Sequence, residues 1–261
     1  MITFSSAQLN AWFAGFMFPF ARILGLLALA PVFNNAALPN RIRVVIGLAI
    51  SFALVPALPP PPAIPPGSWP GLVVLVEQVL AGILMGFALR LAFSAIDLAG
   101  ELIGLQMGLS FAVFYDPQSE AQTPVLGEFL GLLTLLIFLA MNGHLLTLSA
   151  LADSFNLLPI STTPLAAKGF GAVLTWTATL FSTGLLLSLP MITALLIANI
   201  AMGVLSRVAP QLNLFAVGFP VTMVSGFVVL AIALPYFGTA LERLFDDSFA
   251  ALHMIMRAAG S

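Results

Sequence analysis

The longest uncharged run in this chain covers 38 residues, from 169 to 206. An α-helix needs about 20 mainly apolar residues to cross the hydrocarbon core of a bilayer. The whole sequence of 261 residues is 61% hydrophobic and only 7% charged, whereas a soluble domain carries about 25% charged residues. A water-soluble fold could not cover so much apolar surface. We therefore predict a polytopic integral membrane protein.

Six or seven hydrophobic, partly broken helices are predicted within a single all-α membrane domain, 1–261. Proline clusters favour an extended backbone over a helix, so we expect a Pro-rich loop at 59–70. The run 169–206 contains Pro190 and is either one kinked helix or two coupled ones. A mixed-charge, amphipathic tail at 242–261 could contact a partner at the membrane surface. The predicted spans are 9–33, 44–58, 71–98 with a continuation to 108, 129–151, 169–206 and 212–237.

Several classes of function are excluded by composition. The chain has no cysteine, which removes disulfides, thiolate metal sites and cysteine nucleophiles. A net charge of −2 gives no basis for nucleic-acid binding. No metal-binding or nucleotide-binding motif is present, so no cofactor is predicted. The first basic residue is Arg22, which favours a retained first helix over a signal peptide. Arg41 and Arg43 place the next loop on the cytoplasmic side.

A stripe of glycines lies at 100, 104 and 108. Glycines four residues apart share one helix face and let two helices approach closely in a membrane. We interpret Gly100, Gly104 and Gly108 as a contact with another subunit. The pairs Gly82/Gly86 and Gly127/Gly131 are instead expected to pack within the chain.

Charged residues embedded in the third apolar segment form a second pattern. Arg90, Asp97 and Glu101 share a helical face, and Glu77 could join them. A charge at membrane depth costs about 2.5–3.5 kcal/mol on insertion scales unless it is paired or wetted. This intramembrane polar cluster is therefore either a polar conduit or a mutually neutralising structural group.

The segment QMGLSFAVFYDPQSEAQTP, 106–124, is too polar for a comfortable span and too aromatic for an ordinary exposed loop. Gly108 permits a helix break, and Asp116-Pro117 favours a turn. Phe111, Phe114 and Tyr115 could seal a narrow pore, as hydrophobic constrictions do. They could equally lie at a membrane interface. The residues alone leave both interpretations open.

Two other functions remain open at this point. A secondary transporter fits the Pro- and Gly-broken helices, although no internal repeat is visible. An intramembrane serine protease would use Ser110 and His144, which is a weak pattern. His144 is otherwise predicted to support helix packing through hydrogen bonds. Asn213 and Pro220 are predicted to determine a broken helix start.

Four motifs in order resemble the FliR/SpaR family of flagellar and virulence type III secretion proteins. They are APVFNNAALPNRIRVVIGLAISFALVP (30–56), AGELIGLQMGLSFAVFYDP (99–117), FLAMNGHLLTLSALADSFNLLP (138–159) and APQLNLFAVGFPVTMVSGFVVLAIALP (209–235). The resemblance covers nearly the whole chain, but the prolines at 59–66 do not match the family pattern.

The resemblance implies a non-enzymatic component of the flagellar protein export gate in the bacterial inner membrane, at the flagellar basal body. Its partners would be FliP-like and FliQ-like subunits in a helically arranged cone, an FlhB-like protein, membrane lipid and translocating substrate proteins. It also implies that the loop 108–123 helps plug the lumen. The pore plug and gating residues would be Gly108, Leu109, Phe111, Val113, Phe114, Tyr115, Asp116 and Pro117.

Overall fold

A computed structural model describes residues 6–34, 38–59, 64–109, 124–209 and 214–261. Within these ranges the chain forms seven α-helices and one 3₁₀ turn, Val55–Ala57, without a β-strand. The predicted all-α class is therefore confirmed. The helices are α1 Ser6–Leu29, α2 Asn40–Leu54, α3 Trp69–Gln106, α4 Val125–Ala140, α5 Gly143–Leu157, α6 Ala167–Val208 and α7 Leu214–Ala259.

Five helices are long and apolar enough to cross a membrane: α1, α2 with its 3₁₀ turn, α3, α6 and α7. The count is six if α4 and α5, which meet at a bend, form one broken span. The predicted span 71–98 and its continuation form one helix, α3. The run 169–206 is also one helix, α6, with Pro190 inside it, which agrees with the single-helix alternative of the prediction. The tail after 242 continues α7 instead of forming a separate element.

The predicted span 129–151 is interrupted at Asn142. This residue has φ 59° and ψ 28°, a left-handed conformation that asparagine tolerates better than most L residues. The Asn142 carbonyl accepts hydrogen bonds from the N–H groups of Leu145 and Leu146 at 2.8 and 3.0 Å, which start α5. The Asn-Gly pair therefore ends one helix and begins another where apolar periodicity predicts continuity.

The Pro-rich loop ends sooner than predicted. Ser68 accepts a hydrogen bond at its hydroxyl from the N–H of Gly71, 3.2 Å away, as an N-cap residue does. Helix α3 therefore begins at Trp69, inside the predicted loop 59–70. Residues 60–63 lie outside the described ranges.

The chain divides into two compact units. Unit 1 contains the described residues up to Leu91, together with Asn142–Thr177 and Phe245–Ser261; unit 2 contains Ala92–Met141 and Ala178–Leu244. Among the described residues, an extensive buried apolar cluster lies in unit 1 and draws on α1, α3, α5, α6 and α7. Leu252, Ile255 and Met256 of the tail belong to it and are essentially inaccessible to solvent. The apolar side of residues 245–261, most of the predicted tail, is thus a core element of unit 1.

Glycines set the spacing of α1 and α3 in unit 1. A Cβ on Gly82 would overlap the carbonyl oxygen of Arg22, and one on Gly86 would lie 2.8 Å from that of Leu26. A Cβ on Gly25 would in turn approach Gly82 to 3.1 Å. The two backbones therefore touch, which small residues permit in membrane helices. The predicted intramolecular role of the Gly82/Gly86 pair is confirmed.

Candidate functional site

Helix α3 ends in a Schellman motif at the start of the predicted plug loop. The N–H of Gly108 donates to the carbonyl of Leu105, and the N–H of Leu109 donates to that of Gly104, both at 3.0 Å. These are the two bonds that define the motif. Gly108 has φ 80°, which costs an L side chain roughly 1–2 kcal/mol. The break predicted at Gly108 is confirmed.

The residue before this break is buried against α7 within unit 2. Met107 has no solvent-accessible surface. Its side chain covers Gly226 of α7 so closely that a Cβ there would lie 2.6 Å from Met107 Cγ and 2.6 Å from Cε. Any larger residue at 226 must therefore displace the side chain of Met107 at the end of α3.

The far end of the loop is tethered to the same helix. Pro124 precedes the first residue of α4. A Cβ on Gly100 would lie 2.6 Å from the Cα of Gly127 in α4, while one on Gly104 would meet the Cβ of Leu126 at an ordinary 3.8 Å. Helices α3 and α4 therefore pack backbone to backbone at Gly100. The contact with Gly127 explains the glycine at position 100 by packing within the chain. A contact of Gly104 and Gly108 with another subunit stays a prediction.

The segment between these two tethers, 110–123, lies outside the described residues. Its 14 residues could extend over roughly 46–50 Å of contour, far more than two touching helices need for a connection. Of the predicted plug residues, Gly108 and Leu109 are described and lie at the anchor. Phe111, Val113, Phe114, Tyr115, Asp116 and Pro117 fall in the segment, as does Ser110 of the protease hypothesis.

The four predicted intramembrane charges all lie on α3, at different levels. Glu77 is half-buried, whereas Arg90, Asp97 and Glu101 are exposed. Glu77 is about 20 Å along the helix axis from Arg90 at 1.5 Å per residue, so these two residues do not form one group. The carboxylate of Asp97 faces α4, with Oδ1 3.4 Å from the position of a Cβ on Gly131. The glycine pair of α4, Gly127/Gly131, thus packs within the chain as predicted.

Sequence reasoning missed the most extensively bonded polar group of the described residues, the guanidinium of Arg22. It is fully buried. Its Nε and Nη2 donate to Oε1 of Gln78 at 2.9 and 2.6 Å, and Nη2 also donates to the carbonyl of Leu158 at 2.8 Å. Its Nη1 donates to the carbonyl and hydroxyl oxygens of Ser154 at 2.9 and 3.0 Å.

All five of these bonds go to uncharged acceptors, and together they join α1 to α3 and to the end of α5. The available signal was that Arg22 is the only charged residue between residue 1 and Arg41. Identifying its acceptors required the packing of three segments distant in sequence.

Three predicted structural residues remain, His144, Asn213 and Pro220. His144 lies in the first turn of α5, and its Nδ1 is buried without a hydrogen-bond partner in the described part of the chain. The predicted hydrogen bond is therefore not seen at that nitrogen. Pro220 lies inside the continuous helix α7 and is exposed. Asn213 falls outside the described ranges.

The family model and the most similar known proteins point to the same family. Residues 13–248 match the family described as bacterial export proteins, family 1. The chain is 44% identical over 261 residues to the flagellar biosynthetic protein FliR of Pectobacterium carotovorum subsp. carotovorum, covering 100% of both chains. It is 41% identical over 249 residues to FliR of Escherichia coli (strain K12), covering 95% of each. The Bacillus subtilis (strain 168) FliR is 25% identical over 266 residues, with 95% and 96% covered.

Proposed function

This chain belongs to family 1 of the bacterial export proteins, and we propose that it forms a closed passage for unfolded export substrates with FliP-like and FliQ-like subunits. Its relatives named FliR and its apolar helices support a structural component of the flagellar export apparatus in the inner membrane. In this proposal an FlhB-like protein associates with the assembly at the flagellar basal body. The segment 108–123 helps plug the lumen.

The anchoring of that segment is the observation that carries the plug proposal. Its start is fixed by the left-handed Gly108 and the buried Met107. Its end is fixed because α4 packs on α3 at Gly100 and Gly127. Both attachment points lie on or against α3, and a segment of this length between them is long enough to reach into a passage.

The sequence of the segment supports the same role. Phe111 and Phe114 supply apolar bulk, which can exclude water and ions from a narrow constriction. Gln118, Ser119 and Glu120 suit a wet lumen better than a lipid environment, since irregular backbone at membrane depth requires protein or water around it. Sealing requires no chemical step, and the energy for export comes from elsewhere in the apparatus.

The test uses the chain co-expressed with FliP-like and FliQ-like proteins and purified as an assembly. Native mass spectrometry should detect the chain in a hetero-oligomer with both partners. The assembly is then reconstituted in vesicles with a pH-sensitive dye inside. The double variant Phe111→Ala/Phe114→Ala should assemble normally and leak ions, whereas the wild-type assembly stays tight.

A matched control is Phe87→Ala, which removes an exposed phenylalanine from α3 outside the segment. It should not leak. An ion-tight double variant in a complete assembly would refute the aromatic seal. A chain that remains partner-free under the same conditions would refute the assembly itself.

A further inference from the structure

Unit 1 carries a surface whose dimensions and composition match a bilayer, and this inference is independent of the proposed passage. Its basis is the direction of three helices. Along α1 and α3, contacts advance together: Phe18 clusters with Val74 and Arg22 bonds to Gln78. Further along, Leu26 approaches Gly86. Helices α1 and α3 therefore run in the same direction, side by side.

Helix α2, which lies between α1 and α3 in the sequence, runs in the opposite direction to both. Its Gly47 faces Leu24 of α1, with a Cβ position 3.0 Å from Leu24 Cδ2. Phe52 comes five residues after Gly47, but its ring contacts Phe16, which comes eight residues before Leu24. The two ring centroids are 4.9 Å apart. The start of α2 is therefore level with the end of α1.

This register brings two tryptophans to one level. Trp12 is six residues before Phe18, and Trp69 is five residues before Val74, its partner. Both are strongly exposed, at 62% and 78% of their surface. Tryptophan is enriched at membrane–water interfaces, where its amphipathic ring sits at the headgroups.

The same register brings two exposed arginines to the opposite level. Arg90 lies about 31 Å along α3 from Trp69. Arg41 comes six residues before Gly47, which is level with Leu24, so it lies about 27 Å from Trp12 along the helix axes. The hydrocarbon core of a bilayer is about 30 Å thick. An aromatic edge and a cationic edge are thus separated by one membrane thickness.

The exposed side chains between the two edges are mainly apolar, and Arg43, just inside the cationic edge on α2, is half-buried. The only charge of α1 in this interval, Arg22, is fully buried. On α3 the charge in this interval is Glu77, which is half-buried and about 12 Å from Trp69; helix side chains tilt toward the N-terminus, so its carboxylate is directed to the tryptophan edge. The large exposed side chains in the interval include Val45, Phe52, Leu72, Val76, Leu80 and Phe87.

We propose that this face of α1, α2 and α3 contacts bilayer lipid directly, with Trp12 and Trp69 at one headgroup level and Arg41 and Arg90 at the other. The alternative occupant is another protein subunit. Lipid is favoured because the band between the two edges, whose charged residues are buried or half-buried, has about the thickness of the hydrocarbon core and is bounded by residues that prefer the interface.

Tryptophan quenching by brominated phospholipids tests the proposal, since the chain contains three tryptophans. The variant Trp69→Phe/Trp176→Phe leaves Trp12, and Trp12→Phe/Trp176→Phe leaves Trp69. A control with all three replaced and Leu80→Trp places one indole about 16 Å below Trp69 on α3. Each variant is co-expressed with the partner subunits and reconstituted in phosphatidylcholine brominated either near the headgroup or at mid-chain.

Shallow bromines should quench Trp12 and Trp69 more than deep ones, and the order should reverse for the Leu80→Trp control. Absence of quenching at Trp12 or Trp69 would mean that protein covers the surface and would overturn the proposal. Stronger quenching of either one by deep bromines would also overturn it.

A second measurement covers the case in which the tryptophan variants fold poorly. The natural chain lacks cysteine, so a single introduced thiol reports one position. In vesicles, Gly67→Cys, exposed just before α3, should react with a water-soluble maleimide, and Leu80→Cys should not. Equal labelling of the two thiols would refute a lipid-facing band.

Discussion

The guanidinium carbon of Arg22 lies 4.1 Å from the centroid of the Phe155 ring, so the cation of α1 is stacked on an aromatic residue of α5. A desolvated cation–π contact contributes about 2 kcal/mol. Five hydrogen bonds to neutral acceptors add to it. The charge is thus stabilised without a carboxylate and fixes three helices of unit 1 relative to one another.

Removing the acceptor side chain of Gln78 alone should lower the stability of unit 1 more than removing Gln78 and the Arg22 guanidinium together. Gln78→Leu leaves the buried guanidinium without two of its bonds, which should destabilise unit 1 by roughly 1.5–3 kcal/mol, the range for a hydrogen bond to a charged group. Arg22→Met/Gln78→Leu removes charge and acceptor together and should unfold closer to wild type. Thermal unfolding of the detergent-solubilised assembly gives the comparison. Additive effects of Arg22→Met and Gln78→Leu would show that the two side chains are not coupled.

Gly108 and Gly104 should respond in opposite ways to alanine. Gly108→Ala places a side chain at φ 80° and should destabilise the end of α3 by roughly 1–2 kcal/mol, with Gly108→Asn less affected. Among the described residues, a Cβ on Gly104 meets only Leu126, at an ordinary 3.8 Å, so Gly104→Ala should stabilise the helix by about 0.5–1 kcal/mol. Unfolding by denaturant measures both.

The same Gly104→Ala variant tests the predicted subunit contact. If Gly104 packs against another subunit, the added methyl group should reduce recovery of the hetero-oligomer while leaving the chain itself folded. Normal assembly of Gly104→Ala would limit the role of this glycine to packing within the chain.

Close helix contact at Gly82 predicts a strong effect of a single methyl group. Gly82→Ala would overlap the carbonyl oxygen of Arg22, so α1 and α3 must separate and the Arg22–Gln78 bonds must lengthen. Gly203→Ala is the matched control, because no atom of the described part of the chain lies within 4 Å of a Cβ there. We expect a lower melting temperature for Gly82→Ala and an unchanged or higher one for Gly203→Ala.

The clamp of Met107 on Gly226 links α7 to the proposed plug. Gly226→Ala displaces Met107 and should increase ion leakage of reconstituted assemblies. Because the obstructing atoms belong to a flexible side chain, Met107→Ala/Gly226→Ala should relieve the overlap. Leakage that does not change in Gly226→Ala would show that the plug is insensitive to the position of this anchor.

Much of the architecture is readable from local pattern. Long uncharged runs predict the apolar helices because burial of the backbone in lipid leaves few alternatives to a helix. The break at Gly108 follows from the conformational freedom of one residue. The interruption at Asn142 was missed, since the surrounding residues remain apolar on both sides of it. For Pro190 the pattern left one kinked helix or two coupled ones open, and the chain forms one helix, α6. Pro220 was expected at a broken helix start, but α7 continues through it.

By itself the sequence determined the membrane class, the helical content, the family and the place where α3 must end, because each depends on composition or on a few neighbouring residues. Only the tertiary structure decided which glycines bring backbones together, which tail residues enter the core and how Arg22 is satisfied. These depend on the register between helices distant in sequence, and side-chain packing, which the apolar pattern does not encode, fixes that register. The level shared by Trp12 and Trp69 arises in the same way, from two helices that contact each other through glycines.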